Sequence, residues 1–119
     1  MLNFGLVVHD RYCLAHLGGL VSFDGWEAVL QDLASSLASR STPPPRLVLD
    51  MTAVVGYLGV PERRAVGALM ARYFGAMEKV AIVVQAQKIT DVVHTEAQHN
   101  GLNLRLFPEH ADAVAWATA

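Results

Sequence analysis

Three short apolar runs in the second half of the chain, each followed by a helical pattern, constrain the fold more than any other feature. The runs begin at Arg46, Lys79 and Leu102 and read RLVLDM, KVAIVV and LNLRLF. Strand-length runs separated by helical stretches of about 10–15 residues are typical of βαβ crossovers, in which a helix joins two parallel strands. We therefore predict an α/β fold with a mostly parallel sheet.

The first part of the chain predicts a hairpin and a well-marked helix. Residues 2–9 and 12–21 have strand-like apolar patterns and are joined by a polar turn, so we expect them to pair antiparallel. Asp24 and Glu27 have the spacing of a capping box, which predicts that a helix starts there. With the later elements, this gives a single five-stranded sheet and about four helices in one domain over residues 1–119. The later helices are expected to begin near Pro61, Thr90 and Pro108.

Composition excludes several classes of protein. The formal charge of −2 and the pI near 6.2 argue against nucleic-acid binding, which normally needs a basic face. The single cysteine, Cys13, excludes an internal disulfide and falls in a strand pattern, as a small core residue would. No apolar run approaches the roughly 20 residues that span a bilayer, and the start of the chain lacks the pattern of a signal peptide. We expect a cytoplasmic protein.

The segment after the strand at 46–51 is unusually apolar for a connection. Residues 53–60 read AVVGYLGV and connect this strand to the helix at Pro61. They therefore lie at the carboxyl end of the sheet, where ligands of open α/β folds commonly bind. In one interpretation, Val54, Val55 and Leu58 fold back onto the core. In the other, they form an exposed apolar patch that meets a protein partner, a membrane surface or a lipophilic ligand.

Two neighbouring arginines follow this connection. Arg63 and Arg64 fall in the first turn of the helix that starts at Pro61, where the helix dipole disfavours cations. They either lie on a solvated polar face or complete an anion site with the free backbone N–H groups. In a complex they would orient the partner electrostatically. Together with the apolar connection and the buried side of the helix, they define the predicted partner- or ligand-binding residues: Thr52, Val54, Val55, Tyr57, Leu58, Arg63, Arg64 and Met70.

Catalytic and metal-binding patterns are absent from the sequence. There is no nucleophile elbow and no glycine-rich phosphate loop, and Cys13 has no cationic neighbour that would activate it. His94 and His99 are five residues apart, so they do not share a helix face. Asp50 ends a strand and is expected to accept hydrogen bonds from the following backbone. A buried carboxyl group with a shifted pKa could also mark a functional site. We predict no enzyme activity, catalytic residue, metal or cofactor.

Three segments carry a resemblance to a known family. They read RLVLDMTAV, GAMEKVAIVV and LRLFPEHADAVAWA, and they follow an opening hairpin and helix. This arrangement resembles the bacterial SpoIIAA-like group, which is related to the STAS domains of anti-sigma factor antagonists and sulfate transporters. The matching positions are Asp50 at a strand end, the run from Lys79, and Phe107, Ala113 and Trp116 near the end. The resemblance implies a SpoIIAA-like fold, which is shared with lipid-transfer domains of the CRAL-TRIO type.

One departure from that family bears on function. Anti-sigma factor antagonists are phosphorylated on a serine just ahead of the second helix, whereas residues 55–61 here read VGYLGVP. The resemblance therefore implies a non-catalytic regulatory or protein-binding module that lacks this serine. The alternative is a carrier of a small apolar molecule or lipid, with peripheral membrane contact and a pocket between helix and sheet. The sequence identifies neither partner nor ligand, and a homodimer is possible.

The carrier alternative makes a specific structural prediction. It needs a pocket on the order of several hundred Å³ behind the apolar connection, lined by five side chains. A filled core with the same side chains exposed would instead favour the partner module. Both hypotheses predict that Leu58→Asp abolishes binding while the fold stays intact. The five side chains that would line the pocket are Val54, Leu58, Val66, Met70 and Tyr73.

Overall fold

The computed structural model describes residues 2–20, 22–39, 45–56, 58–89 and 91–119, and their strands form one sheet. The spatial order β1-β2-β3-β4-β5 is also the order along the chain. β1 and β2 pair antiparallel, and each later pair of neighbours is parallel, as predicted. The strands are β1 (Leu2–Val8), β2 (Cys13–Leu20), β3 (Arg46–Val55), β4 (Lys79–Val83) and β5 (Leu104–Phe107).

Helices connect the parallel strands and cover both faces of the sheet unequally. In the described part of the chain they are α1 (Phe23–Ala38), α2 (Val60–Phe74), α3 (Asp91–His99) and α4 (His110–Thr118). The first three lie in the three connections between parallel strands, so each parallel pair is a βαβ unit. α4 follows β5 and packs on β3, β4 and β5 from the other face. The predicted α/β fold with four helices is confirmed.

The start of α1 differs from the prediction. Ser22 is the N-cap, and its hydroxyl oxygen accepts a hydrogen bond from the backbone N–H of Gly25 at 3.0 Å. Asp24 is already inside the helix, so the capping box that we predicted for Asp24 and Glu27 is wrong. Serine satisfies the N–H of the third helical residue directly, and Asp24 still lies in the first turn, where the helix dipole favours an acid.

The two faces of the sheet contain separate apolar clusters. The large cluster lies under α1, α2 and α3 and includes Cys13, which is fully buried as predicted. The small cluster lies under α4. Strand alternation divides β3 between them, because Leu49 faces the large cluster and Val48 the small one. The buried members of the small cluster are Leu14, Val48, Ala81, Val83, Ala113 and Ala117.

Helix α4 begins later than the sequence pattern indicated. It starts at His110 after the N-cap Glu109, rather than at Pro108, and its buried positions are Ala113 and Ala117 while Ala111 is exposed. These small side chains let the helix lie close to the sheet. On its flank, the Lys79 ammonium donates a hydrogen bond to the Trp116 carbonyl at 3.0 Å. The position of α4 is therefore fixed by alanine packing and by a lysine from β4.

Helices α2 and α3 approach each other closely at Gly67. A Cβ atom at that position would lie 2.6 Å from the carbonyl oxygen of Val93 and 3.0 Å from the Cβ of Glu96. Only glycine fits this distance without moving one helix. The crossing places both helices over the carboxyl ends of β3 and β4.

Candidate binding site at the carboxyl end of β3

Strand β3 is longer than the sequence indicated, and this changes the predicted site. It was expected to end at 51, but it continues to Val55 because residues 18–20 of β2 pair with residues 53–55. The connection to α2 is therefore residues 56–59 rather than 53–60. The predicted apolar loop is mostly strand, and its side chains alternate between two faces.

A β-bulge decides which of these side chains enters the core. His16 pairs with Asp50, but the next pair is Gly18 with Ala53, so β3 has two residues where β2 has one. An extra residue moves every later side chain to the opposite face. Val54 consequently joins the core face and is buried. Without the bulge, Ala53 would occupy that face.

Two side chains cap the end of β3 on the side away from β2. β4 pairs with β3 only as far as Asp50, so the later carbonyl groups of β3 have no strand partner on that side. The Gln85 amide donates to the Thr52 carbonyl at 2.7 Å, and the Lys88 ammonium donates to the Val54 carbonyl at 2.9 Å. These bonds hold the short 3₁₀ turn Ala86–Lys88 against the bulged strand.

A cavity of about 100 Å³ lies between the carboxyl ends of β3 and β4 and the helices α2 and α3. It is partly open to solvent, and its walls are mainly apolar. Four of the five residues that a carrier pocket was expected to use lie in its wall, whereas Tyr73 does not. The volume is also well below several hundred Å³. The lining residues are Trp26, Met51, Val54, Gly56, Leu58, Arg63, Val66, Met70, Ile82, Val84, Lys88, Val93 and Leu106.

Two basic side chains interrupt this apolar wall. Arg63 comes from the first part of α2 and Lys88 from the 3₁₀ turn, and both remain partly exposed. Lys88 is engaged with the Val54 carbonyl. The Arg63 guanidinium has no hydrogen bond or ion pair within the described residues, and Arg64 is exposed and outside the cavity. The two arginines thus have different environments.

An exposed apolar patch lies at the same end of the sheet. Leu20 and Val55 are register neighbours on β2 and β3, with 62% and 63% of their surfaces exposed, and Val60 at the start of α2 is 48% exposed. We call Leu20 and Val55 the carboxyl-end patch. Large apolar side chains that neighbour one another in solvent are typical of interaction surfaces.

The eight predicted site residues divide between the cavity, the patch and solvent. Val54 and Met70 are buried and Leu58 is partly buried, and all three line the cavity. Val55 belongs to the patch, and Thr52 and Arg64 are exposed. Tyr57 lies outside the described residues. Leu20, which completes the patch, was missed because its position beside Val55 depends on the pairing of β2 with β3.

A polar cluster surrounds Asp50 on the α4 face of the sheet. Thr52 donates two hydrogen bonds to Asp50 Oδ1, one from its backbone N–H at 3.0 Å and one from its hydroxyl at 2.6 Å. His16 Nδ1 lies 3.5 Å from Asp50 Oδ2. Burial alone would raise the pKa of Asp50, but the bonds from Thr52, with His16 and His110 nearby, hold this pKa below its ordinary value of 3.8. The backbone bond confirms the expected structural role of Asp50.

Neither a metal centre nor a membrane span is found in the described residues. No three of their histidine, cysteine, aspartate or glutamate side chains are grouped so that they could hold a metal ion. Within the same part of the chain, no helix has both the length and the apolar character needed to cross a bilayer.

Comparison with known proteins identifies the fold. No protein-family model matches the chain, and no curated protein matches its sequence. Among solved structures, it is similar to an anti-sigma factor antagonist from Mycobacterium paratuberculosis, at 17% identity and a TM-score of 0.70 over 100% of this chain and 96% of the other. An uncharacterised protein with a SpoIIAA-like fold from Shewanella loihica gives 19% identity and a TM-score of 0.64 over 98% and 93% of the two chains.

A third similar structure is the anti-sigma factor antagonist SpoIIAA in its unphosphorylated form. It shares 11% identity with this chain at a TM-score of 0.53, over 96% of this chain and 95% of the other. Each of the three alignments covers nearly the whole of both chains. The chain has a SpoIIAA-like fold.

Proposed function

We propose that this protein is a non-catalytic regulatory module that binds a protein partner through the carboxyl-end patch. The observation that carries this proposal is the pair Leu20 and Val55, two large apolar side chains that are neighbours in the sheet and mostly exposed. The fold is that of anti-sigma factor antagonists, whose name describes a protein that acts on another protein. Association in the cytoplasm is part of the proposal.

Binding would follow ordinary interface physics. Apolar side chains at the centre of an interface contribute by leaving water, and charged residues at the rim orient the partner. In this proposal the patch supplies the apolar centre, and Arg64, exposed in the first turns of α2, attracts the partner by its charge from outside the patch. The sequence between Val55 and Pro61 has no serine or threonine, so the proposed association involves no phosphoserine or phosphothreonine in that segment.

The proposal is tested by comparing two valine variants in affinity capture from the source cells, with quantitative mass spectrometry. Val55→Asp places a charge in the patch. It is expected to lower the amount of captured partner at least tenfold, because a carboxylate would have to be desolvated in the interface. Since Val55 is largely exposed, the stability of the free protein should change by no more than about 0.5 kcal/mol.

Val7→Asp is the matched control. Val7 is also a strand valine, 49% exposed, but it lies on β1 near the hairpin turn rather than at the carboxyl end of β3. A protein captured equally by the wild type and Val7→Asp, and lost with Val55→Asp, would support the proposal. Equal capture by all three proteins would contradict it.

Leu58→Asp is not a suitable test of binding. We expected it to leave the fold intact, but Leu58 packs against the large cluster and lines the cavity. Aspartate would remove the apolar contacts of Leu58 and place a carboxylate against the large cluster, so loss of stability and loss of binding would occur together. Each of the two interpretations of the apolar segment therefore holds for part of it. Val54 and Leu58 pack on the core, whereas Val55 is exposed.

A second candidate function, the carriage of a small apolar molecule, is favoured by the cavity. Its walls include Val54, Leu58, Val66 and Met70, as a carrier would require. The volume of about 100 Å³ argues against a whole lipid, since pockets for drug-sized ligands are roughly 300–1,000 Å³. Native mass spectrometry before and after denaturation would test it, because a small cargo would appear as a releasable adduct. The same spectra would show whether the protein forms the homodimer that the sequence allows.

A further inference from the structure

We infer that the cavity is a site for a short-chain carboxylate, with the hydrocarbon chain among the apolar walls and the carboxylate on the guanidinium of Arg63. This inference rests on the second candidate function and names its ligand class. The wall side chains Val54, Met70 and Ile82 come from β3, α2 and β4, so the apolar part of the site is formed by three elements. A neutral apolar ligand would offer the Arg63 guanidinium no counter-charge.

The case for an anion depends on the difference between the two arginines. Arg63 lines the cavity, is half-buried, and has no hydrogen bond or ion pair among the residues that the structure describes. Arg64, the next residue, points elsewhere and is exposed. The carboxylate of Glu62 lies close to Gly59 and is not part of the wall. A partly desolvated guanidinium beside an apolar cavity is matched by a carboxylate that accepts its hydrogen bonds.

Lys88 adds positive charge on another side of the cavity. Its ammonium is bonded to the Val54 carbonyl, so it would act on the ligand mainly through its charge. The Val54 carbonyl belongs to the bulged end of β3, and that end is anchored further by Gln85. The basic side of the site is therefore built onto a strand end with a fixed position.

The size of the cavity sets the length of the ligand. An apolar cavity of about 150 Å³ holds benzene, which has six carbon atoms. A cavity of about 100 Å³ is therefore filled by a chain of about four carbon atoms, with the carboxylate left at the partly open side. Pentanoate is the ligand of this kind that we would use as the probe.

The methionines provide a direct readout of binding. The chain has four, of which Met51 and Met70 line the cavity and Met77 lies outside it. Pentanoate added to protein with ¹³C-labelled methionine methyl groups is expected to shift the Met51 and Met70 signals and to leave the Met77 signal in place.

The affinity for the carboxylate should rise about fourfold for each methylene group from propanoate to pentanoate, and level off in longer acids once the cavity is full.

Paired arginine variants test the carboxylate contact. Arg63→Gln should weaken pentanoate binding about tenfold, as loss of a hydrogen bond to a charged group does, while the neighbouring Arg64→Gln should leave it unchanged. 1-Pentanol serves as the neutral probe and should bind equally to the wild type and both variants. Thermal unfolding of each variant shows that the comparison is made between folded proteins.

The outcomes separate this inference from the function on which it rests. Methyl shifts with pentanoate that depend on Arg63 and not on Arg64 would support it. If titration of the same signals shows that 1-pentanol binds the wild type as tightly as pentanoate does, the cavity binds apolar molecules and the carboxylate inference is overturned. If neither probe shifts these signals at millimolar concentration, both the inference and the carrier function are overturned.

Discussion

The two faces of the sheet differ in how many helices cover them and in what they expose. We call the face under α1, α2 and α3 the thick face and the face under α4 the thin face. Three helices cover one face, and the large apolar cluster beneath them contains the cavity. Among the described helices, α4 alone covers the other face, where it reaches β3, β4 and β5. On that second face, His16 of β2 is 55% exposed at the side chain beside the Asp50 carboxylate. The thick face can enclose a ligand, whereas the thin face leaves polar groups within reach of water.

This comparison also explains the position of the carboxyl-end patch. The bulge in β3 sends Val54 to the thick face and Val55 to the thin one, where no described helix covers the end of β2 and β3. A buried residue and a mostly exposed one are thus consecutive in the chain. The cavity and the patch lie on opposite sides of the same strand end, so a ligand and a protein partner could bind without competing for one surface.

The largest expected difference between the faces comes from two consecutive residues of β3. Leu49→Ala should lower the free energy of unfolding by about 2–5 kcal/mol, because it opens a cavity in the large cluster under three helices. Val48→Ala removes two carbon atoms from the small cluster and should cost about 1–2.5 kcal/mol. Chemical denaturation of both variants measures the difference. An equal or larger loss for Val48→Ala would show that the α4 face contributes as much stability as the thick one.

A smaller effect is expected where two helices of the thick face touch. Gly67→Ala brings a methyl group against the Val93 carbonyl, so α2 and α3 must separate. We expect a net loss of about 1–3 kcal/mol from this overpacking, although alanine is the better helix former. Gly5→Ala, on β1 with open space around it, is the control and should stay within about 0.5 kcal/mol of the wild type. If Gly67→Ala is as stable as that control, the helices are not closely held.

The smallest effect belongs to the thin face and depends on pH. Because the folded-state pKa of Asp50 is below its ordinary value of 3.8, the unfolded chain binds the proton more readily. The stability contributed by Asp50 is therefore fully present well above pH 4 and is lost as the pH falls through the folded-state pKa. Asp50→Asn should be less stable at neutral pH and show a flatter decline in acid than the wild type. Denaturant titrations from pH 7 to pH 2 measure both quantities.

Two further variants sharpen that result. Thr52→Val removes the hydroxyl bond to Asp50 but keeps the backbone bond, so its acid dependence should fall between the other two. Asp32→Asn, on the exposed side of α1, is the control and should decline in acid as the wild type does. A wild-type decline in Asp50→Asn would mean that other carboxyl groups determine acid stability.

The sequence predicted elements well where the pattern was local and less well where distant segments meet. The run from Lys79 and the helix after Pro61 were located correctly because apolar periodicity and helix-start signals act within a few residues. The end of β3 was placed at 51 because the pairing of Val55 with Leu20 joins segments far apart in the chain. The capping box at Asp24 was wrong because Ser22 is the N-cap residue. Its side chain accepts the hydrogen bond from a backbone N–H in the first turn of the helix, which begins at Phe23.

By itself, the sequence determined the order of strands and helices, the parallel sheet and most of the buried positions, because hydrophobic periodicity specifies these directly. Only the tertiary structure decided that Val54 is buried and Val55 exposed, since one extra residue in β3 relative to β2 reverses every later side chain. The cavity and the separate environments of Arg63 and Arg64 were also decided there. They depend on how α2 and α3 cross above the strand ends, and that crossing is set by contacts between residues distant in sequence.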